Sequence, residues 1–194
     1  VVATASKEPT PGGGAIAALT AAMGAALAEM VANLTFGKKG YEDVQEDMRL
    51  LQQKAESIRE KALSLAQADA NVFNLFMDAL ALSKHTDEEK MARTAAIQQA
   101  YKDAANVPLE IGMISYEIFD LAYLASTKGN QNLITDGIIA AINARAAVKA
   151  AFLNVRINIA SIKDESYVAE LKAQMNQIES ELDEKEASIL ALYK

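Results

Sequence analysis

The chain has no cysteine and no tryptophan, one histidine and three prolines in 194 residues. Without cysteine there is no disulfide, no thiolate metal site and no thiol nucleophile. A single histidine also excludes most histidine-based zinc sites. Strand signals are missing: no run alternates Val, Ile, Thr and aromatic residues with polar ones between turn residues. Basic charge is scarce, with 19 Lys and Arg against 26 Asp and Glu, a net charge of −7. No basic stripe can neutralise a phosphate backbone, which argues against a nucleic-acid partner. No charged n-region, apolar h-region and cleavage site opens the chain, so the expectation is a cytoplasmic protein.

Long uncharged runs are few as well. Residues 15–34 carry only Glu29 as a charge and are long enough to cross a bilayer. Much of that stretch is alanine, and the later apolar run, residues 138–153, contains Arg145 and Lys149. With no second comparable span, no membrane segment is expected.

What is present is the composition of long helices: 51% apolar residues, 23% charged, and an excess of Ala, Leu, Glu, Lys and Gln. The expectation is one all-α domain over residues 1–194, an up-and-down bundle of about five long helices. Val1–Pro9 reads as the end of a helix begun upstream. The first complete helix runs from Ala15 to about Leu34 and closes near Gly37. The second spans about Asp43 to Leu82. Thr86-Asp-Glu-Glu89 is a capping box for the third, which Pro108 should kink or break. Gly129 ends that helix, and Thr135 can cap the fourth, from about Asp136 to Ile162. The last follows Asp164, with a 3-4 apolar seam through Val168, Leu171, Met175, Ile178, Leu182, Ile189 and Leu192, broken at Lys185. Packing of that seam within the chain is favoured over an intermolecular coil. Helices of this length carry more apolar surface than one thin bundle buries, so a homodimer is expected.

Polar residues on apolar faces are the informative ones. Asp69 has Leu65, Ala66, Val72 and Phe73 one turn away. Either a Lys or Arg of a neighbouring helix pairs with it, or desolvation raises its pKa and makes it a usable general acid or base. On the fourth helix Asp136, Asn143 and Asn154 fall near one line, extended by Asn158 and preceded by Asn132. Asparagine is a poor helix former, so the row serves either inter-helix hydrogen bonds or a ligand with alternating donors and acceptors, such as a pteridine or purine. Lys38 and Lys39 could clamp an anion or simply be solvated. Two prolines and three glycines from Pro9 to Gly14 precede an alanine-rich helix, more than a turn requires. They suit either a tight helix contact or a flat ligand approaching backbone closely.

Pro9-Thr-Pro-Gly-Gly-Gly-Ala15, followed by ALAEMVANLT and Gly37-Lys-Lys39, resembles the formimidoyltetrahydrofolate cyclodeaminase/methenyltetrahydrofolate cyclohydrolase family. The likeness continues in order through Asp69-x-x-x-Phe73, the Lys84 turn, Val107-Pro-Leu109, Gly129-Asn130, Thr135-Asp136, Asn154-Val-Arg-Ile-Asn158 and Asp164. It covers about residues 8–165. Three positions depart from the usual pattern: Ala15 where the family has serine, Thr135 where serine is common, and Ser83 where proline is common.

The resemblance implies an enzyme of one-carbon folates, without metal or organic cofactor. Asp69 would be the catalytic acid or base, and Asp136 a proton relay or pterin anchor. Gly12, Gly13, Gly14, Asn130, Asn132, Asn154 and Asn158 would hold the ring. Lys38, Lys39 and Arg156 would hold a glutamate or polyglutamate tail. Ala15 removes a hydroxyl that could cap the helix or touch ligand. The competing expectation is a non-catalytic dimeric helical module, binding folate or a protein.

Overall fold

The computed structural model describes residues 1–193 and holds five α-helices, with no strand among the described residues. They are α1 (Gly13–Asn33), α2 (Gln45–Ala81), α3 (Asp87–Lys128), α4 (Ile134–Ile159) and α5 (Glu165–Leu190). Short 3-10 turns at Glu42–Val44 and Gln131–Leu133 lead into α2 and α4. The up-and-down order stands, while several boundaries differ from the sequence expectation.

Val1–Pro9 forms exposed turns and bends, not the end of a helix. It presents no apolar face at helical spacing, and Pro9 and Pro11 leave too few amide donors to propagate one. The first helix starts two residues before Ala15, with Gly12 as its N-cap. Thr135 does not cap α4. Asn130 caps the preceding 3-10 turn by accepting from the Asn132 amide, and α4 follows directly from Leu133. Pro108 does not interrupt α3, which runs unbroken for 42 residues. The proline is buried, and burial of the flanking Leu109, Ile111 and Phe119 outweighs the one hydrogen bond it forfeits.

The Thr86 capping box forms as its spacing demands: Glu89 donates its amide to Thr86 Oγ1 at 3.2 Å, and the Glu89 carboxylate accepts from the Thr86 amide at 3.1 Å. The α5 seam closes within the chain, burying Leu171, Met175, Leu182 and Ile189. At the break Lys185 reaches Asp120 of α3 at 2.7 Å and stands 4.6 Å from the Tyr116 ring centroid. Lys102 of α3 holds Asp164, the N-cap of α5, at 2.7 Å and keeps its carboxyl far below the usual range.

Small residues set the helix spacing. Eight alanines of α1 are buried, and α1 lies antiparallel to α4, with Gly13 beside Asn154 and Gly24 beside Ala140. Farther along, Gly112 of α3 meets the Phe152 ring: an added Cβ would sit 2.1 Å from Cε1 and 2.7 Å from Cδ1. Phe152 is fully buried, so the ring has nowhere to go. Gly112→Ala should cost about 1–3 kcal/mol by overpacking, despite the better helix propensity of alanine. Thermal denaturation would show it, and Phe152→Leu in the same chain should recover part of the loss.

α1 and α4 are each long and apolar enough to cross a membrane by length and composition, so the expectation of no second span fails for α4. The charges Arg145 and Lys149 fall within the number such a span tolerates. About half of each apolar window, 56% and 50%, is buried inside the bundle. The remainder forms an outward face, with Ile16, Leu19 and Met23 from α1 and Ile139, Ile142, Leu153 and Ile157 from α4 exposed. α2 and α3 outrun their neighbours and project as a hairpin arm, whose tip carries the exposed Lys84 and His85.

Candidate functional site

The N-terminus of α1, the middle of α2 and the C-terminal part of α4 enclose a cleft of about 250 Å³. Pro9, Thr10 and Gly12–Gly14 line one side, Asp69 and Phe73 another, and Asn154, Ile157 and Asn158 the third. A larger hollow of about 600 Å³ lies elsewhere, between the start of α2, the end of α3 and Leu192. None of the residues singled out in the sequence for catalysis or binding lines that hollow, and its Lys128 is paired with Asp47 at 2.6 Å. The chemistry concentrates in the smaller cleft.

Asp69 is the centre of it. Among the described residues it has no salt-bridge partner; of the two alternatives left by the sequence, the unpaired carboxyl is the one observed there. Oδ2 accepts from the Ala15 amide at 2.9 Å. Burial pushes the carboxyl above the ordinary carboxylate range, and the hydrogen bond from Ala15 offsets part of that rise. The cause of the shift is apolar surroundings rather than a neighbouring anion.

The glycines divide by role. At Gly14 an added Cβ would lie 2.1 Å from Asp69 Oδ1 and 2.6 Å from Cγ, so only glycine lets the carboxylate sit against the helix end. At Gly13 the Cβ would meet Asn154 at an ordinary 3.5 Å, and at Gly12 only the Pro9 carbonyl at 3.5 Å. Gly12 has extended backbone that any residue adopts. Ile16 donates its amide to the Gly12 carbonyl at 3.1 Å and Ala15 donates to Asp69. The Gly13 amide, free at the helix start, therefore has the positive end of α1 behind it.

Asn154 and Asn158 share this cleft but also serve the fold. Asn158 Nδ2 donates to the Ala104 carbonyl of α3 at 2.7 Å and to the Asn154 carbonyl at 3.0 Å. Asn154 Nδ2 donates to Ala150 at 2.9 Å. Only the Nδ2 groups are engaged in these bonds, so each carboxamide keeps an oxygen that can accept.

The other residues named from the sequence lie elsewhere. Asp136 sits at the opposite end of α4, roughly 27 Å along the helix from Asn154 at about 1.5 Å rise per residue, and Asn132 lies in the 3-10 turn just before that end. Asn130 is buried, and its side chain is engaged with the Asn132 amide and the Leu34 carbonyl. Thr35 Oγ1 accepts from the Asn130 amide at 2.9 Å. Lys38 stands 5.9 Å from the Tyr41 ring centroid, and Lys39 is exposed beside it. Arg156 reaches away from the cleft to Glu179 of α5 at 2.5 Å. One chain thus gathers Gly12–Gly14, Asp69, Asn154 and Asn158, and separates them from the second set.

Sequence reasoning missed two contributors. The partner of Asp69 is a backbone amide 54 positions away, which no side-chain pattern announces. Ile157, read only as part of an apolar helix, borders the cleft while 73% exposed. Residue 15 is the third of α1 and 1% exposed, so a serine there would not cap the helix, which Gly12 begins. Among the described residues no group of three His, Asp or Glu side chains is placed to hold a metal ion.

Relatives share both sequence and architecture. A methenyltetrahydrofolate cyclohydrolase of Methylorubrum extorquens is 43% identical over 86% of this chain and 80% of its own length. The pig formimidoyltransferase-cyclodeaminase is 32% identical over 95% of this chain, which spans only 34% of that longer protein. The crystal structure of formiminotetrahydrofolate cyclodeaminase from Thermotoga maritima superposes with a TM-score of 0.86 at 32% identity, covering 97% of this chain and 90% of the other. The sequence profile of formiminotransferase-cyclodeaminase matches residues 1–177, and the chain belongs to that family.

Proposed function

We propose that this chain interconverts one-carbon tetrahydrofolates at the Asp69 cleft. In the deaminating direction N10 of 5-formimidoyltetrahydrofolate attacks the formimidoyl carbon, the carbon–nitrogen bond to the imino group breaks, and ammonia leaves with 5,10-methenyltetrahydrofolate as product. With the formimidoyl nitrogen already protonated, one proton must come off N10 and one must reach the departing nitrogen, which leaves as ammonia from the cationic product. In the hydrolytic direction water adds to the methenyl carbon and releases one proton; the N5–carbon bond then breaks, N5 takes up the proton of the adduct's hydroxyl, and 10-formyltetrahydrofolate results. Each direction needs one group that can both take and give a proton near neutral pH.

The observation that carries the proposal is Asp69: an unpaired carboxyl, raised by burial, held by the Ala15 amide against a glycine-lined helix end. In this reading Asn154 and Asn158 orient the pterin with their acceptor oxygens, and the Gly13 amide faces an anionic or carbonyl group. Asp136, Asn130 and Asn132 belong to the second group of residues, with Lys38, Lys39 and Arg156 serving a carboxylate tail. The reading treats the chain as one helical domain. It includes a homodimer, no metal or organic cofactor, no nucleic-acid or membrane partner, and a cytoplasmic location. The net acidity argues against polyanionic partners, while a local lysine pair is what an anionic tail needs.

The test is the near-ultraviolet absorbance of methenyltetrahydrofolate with purified protein. It should rise when formimidoyltetrahydrofolate is supplied or fall faster than in buffer when methenyltetrahydrofolate is supplied. No change with either substrate would remove the proposal. In that case stabilisation by a folate in thermal shift would mark a binding module instead.

A further inference from the structure

We propose that Phe73 is a substrate-binding residue: its ring stacks on the benzoyl ring that folates carry on N10, and it favours the cationic methenyl form over a neutral formyl one. The inference rests on the folate reading above and names what holds the substrate beyond its reacting carbon.

The position follows from α2. Phe73 stands four residues after Asp69, so both side chains leave one face of the helix, about 6 Å apart along its axis. N10 takes part in the reaction, and the benzoyl ring is bonded directly to it. A proton carrier at Asp69 therefore has that ring within about one helical turn. Among the described residues Phe73 is the one aromatic side chain on the cleft wall. The rest of the wall offers glycine backbone, aliphatic groups, the Thr10 hydroxyl and the carboxamides of Asn154 and Asn158. The core makes no use of the ring: Phe73 is half-buried and belongs to neither of the two apolar clusters. Phe76, by contrast, packs against Tyr101 of α3 with ring centroids 4.8 Å apart, and Tyr101 packs against the core. That contact anchors this stretch of α2 to α3 and leaves Phe73 bordering the cleft.

Size and charge both suit such a platform. The cleft volume of about 250 Å³ is under the roughly 300–1,000 Å³ of sites that enclose a drug-sized ligand. The pterin and the reacting carbon fill it, and the benzoyl ring lies at its edge against Phe73. Flat rings meet in offset or edge-to-face contact, which an aromatic wall provides and an aliphatic one does not. In methenyltetrahydrofolate the benzoyl ring is conjugated with N10, which shares a positive charge with N5 across the methenyl carbon. Among the described residues Asp69 is the sole ionisable side chain on the cleft wall, and burial favours its neutral form. The negative face of an aromatic ring attracts that cation whether or not Asp69 holds a proton.

The chain has no tryptophan, so Phe73→Trp installs a single fluorophore at the proposed contact. The probe is 5-formyltetrahydrofolate, which absorbs at shorter wavelengths than tryptophan emits, so quenching requires contact rather than energy transfer. Phe73→Trp should be quenched saturably. Leu75→Trp, at a position on the arm that is 57% exposed, should not be. No quenching in Phe73→Trp, or equal quenching in both, overturns the inference. Kinetics decide independently should tryptophan not fit. Phe73→Leu should raise KM for methenyltetrahydrofolate by roughly 2–30-fold, the range of a cation–π contact, with kcat nearly unchanged. Its affinity for 5-formyltetrahydrofolate should fall by less, and Phe73→Tyr, which keeps the ring face, should stay near wild type. A leucine variant with wild-type KM, a loss confined to kcat, or equal weakening of both folates overturns the inference. A wild type that turns over neither substrate and is not stabilised by 5-formyltetrahydrofolate would instead sink the folate reading.

Discussion

Asp69→Asn is expected to lower turnover by about 10²–10⁴-fold, the usual contribution of a positioned general acid or base, without unfolding the protein. Asparagine has nearly the same shape, and its Oδ1 can still accept from the Ala15 amide that Asp69 now engages at 2.9 Å. What it cannot do is exchange a proton. The pH dependence supplies a second check. Burial raises the Asp69 carboxyl, so the folded protein holds that proton to higher pH than the unfolded chain. The stabilising contribution is full below the unfolded pKa and is lost as pH rises through the folded one. Wild type therefore carries a small cost at neutral pH that the asparagine variant lacks. The variant should melt at the same temperature or slightly higher at neutral pH, and the gap should close in acid. If Asp69 acts as the base in hydrolysis, wild-type activity falls as pH drops through the same raised pKa. Wild-type turnover in Asp69→Asn would remove the residue from the mechanism.

The helical architecture was legible because its signals are local. The Thr86 capping box, the α5 seam and the absence of strand patterns each depend on residues within one or two turns. Pro108 misled because the local rule, a lost hydrogen bond and a ring clash, was overridden by burial contributed from other helices. The start of α1 was misplaced because glycine at an N-cap announces itself less clearly than Ser or Asp. Asp69 was legible as a misplaced charge on an apolar face. Its unpaired state was not, since that depends on what stands opposite it across the bundle. The asparagine row was legible only as a row: Asn158 joins α4 to α3 through Ala104, while Asn132 and Asp136 lie at the far end. Helical periodicity gives a direction around the axis and says nothing about what lies there.

Gly14→Ala tests the site from the backbone side. On propensity alone alanine would stabilise the first turn of α1, by up to about 1 kcal/mol over glycine. Here the new methyl would stand 2.1 Å from Asp69 Oδ1, 2.6 Å from Cγ and 2.8 Å from Oδ2. Such a contact cannot persist, so the carboxylate must swing away and release the Ala15 amide. Loss of a hydrogen bond to a charged acceptor, about 1.5–3 kcal/mol, exceeds the propensity gain. The net loss of about 1–2 kcal/mol should lower the melting temperature by roughly 2–8 °C in a chain of this length. Activity should fall nearly as far as in Asp69→Asn, because the same carboxylate is displaced. The two changes should be non-additive: placed together they should cost little more activity than either alone. Gly13→Ala is the control, with its Cβ at an ordinary 3.5 Å from Asn154. It should gain stability, and any loss of activity should be in KM, since its methyl projects into the cleft rather than onto Asp69. If Gly14→Ala proved as stable and as active as wild type, the carboxylate would not be held where Oδ2 meets the Ala15 amide. The case for Asp69 as the proton carrier would then fail with it.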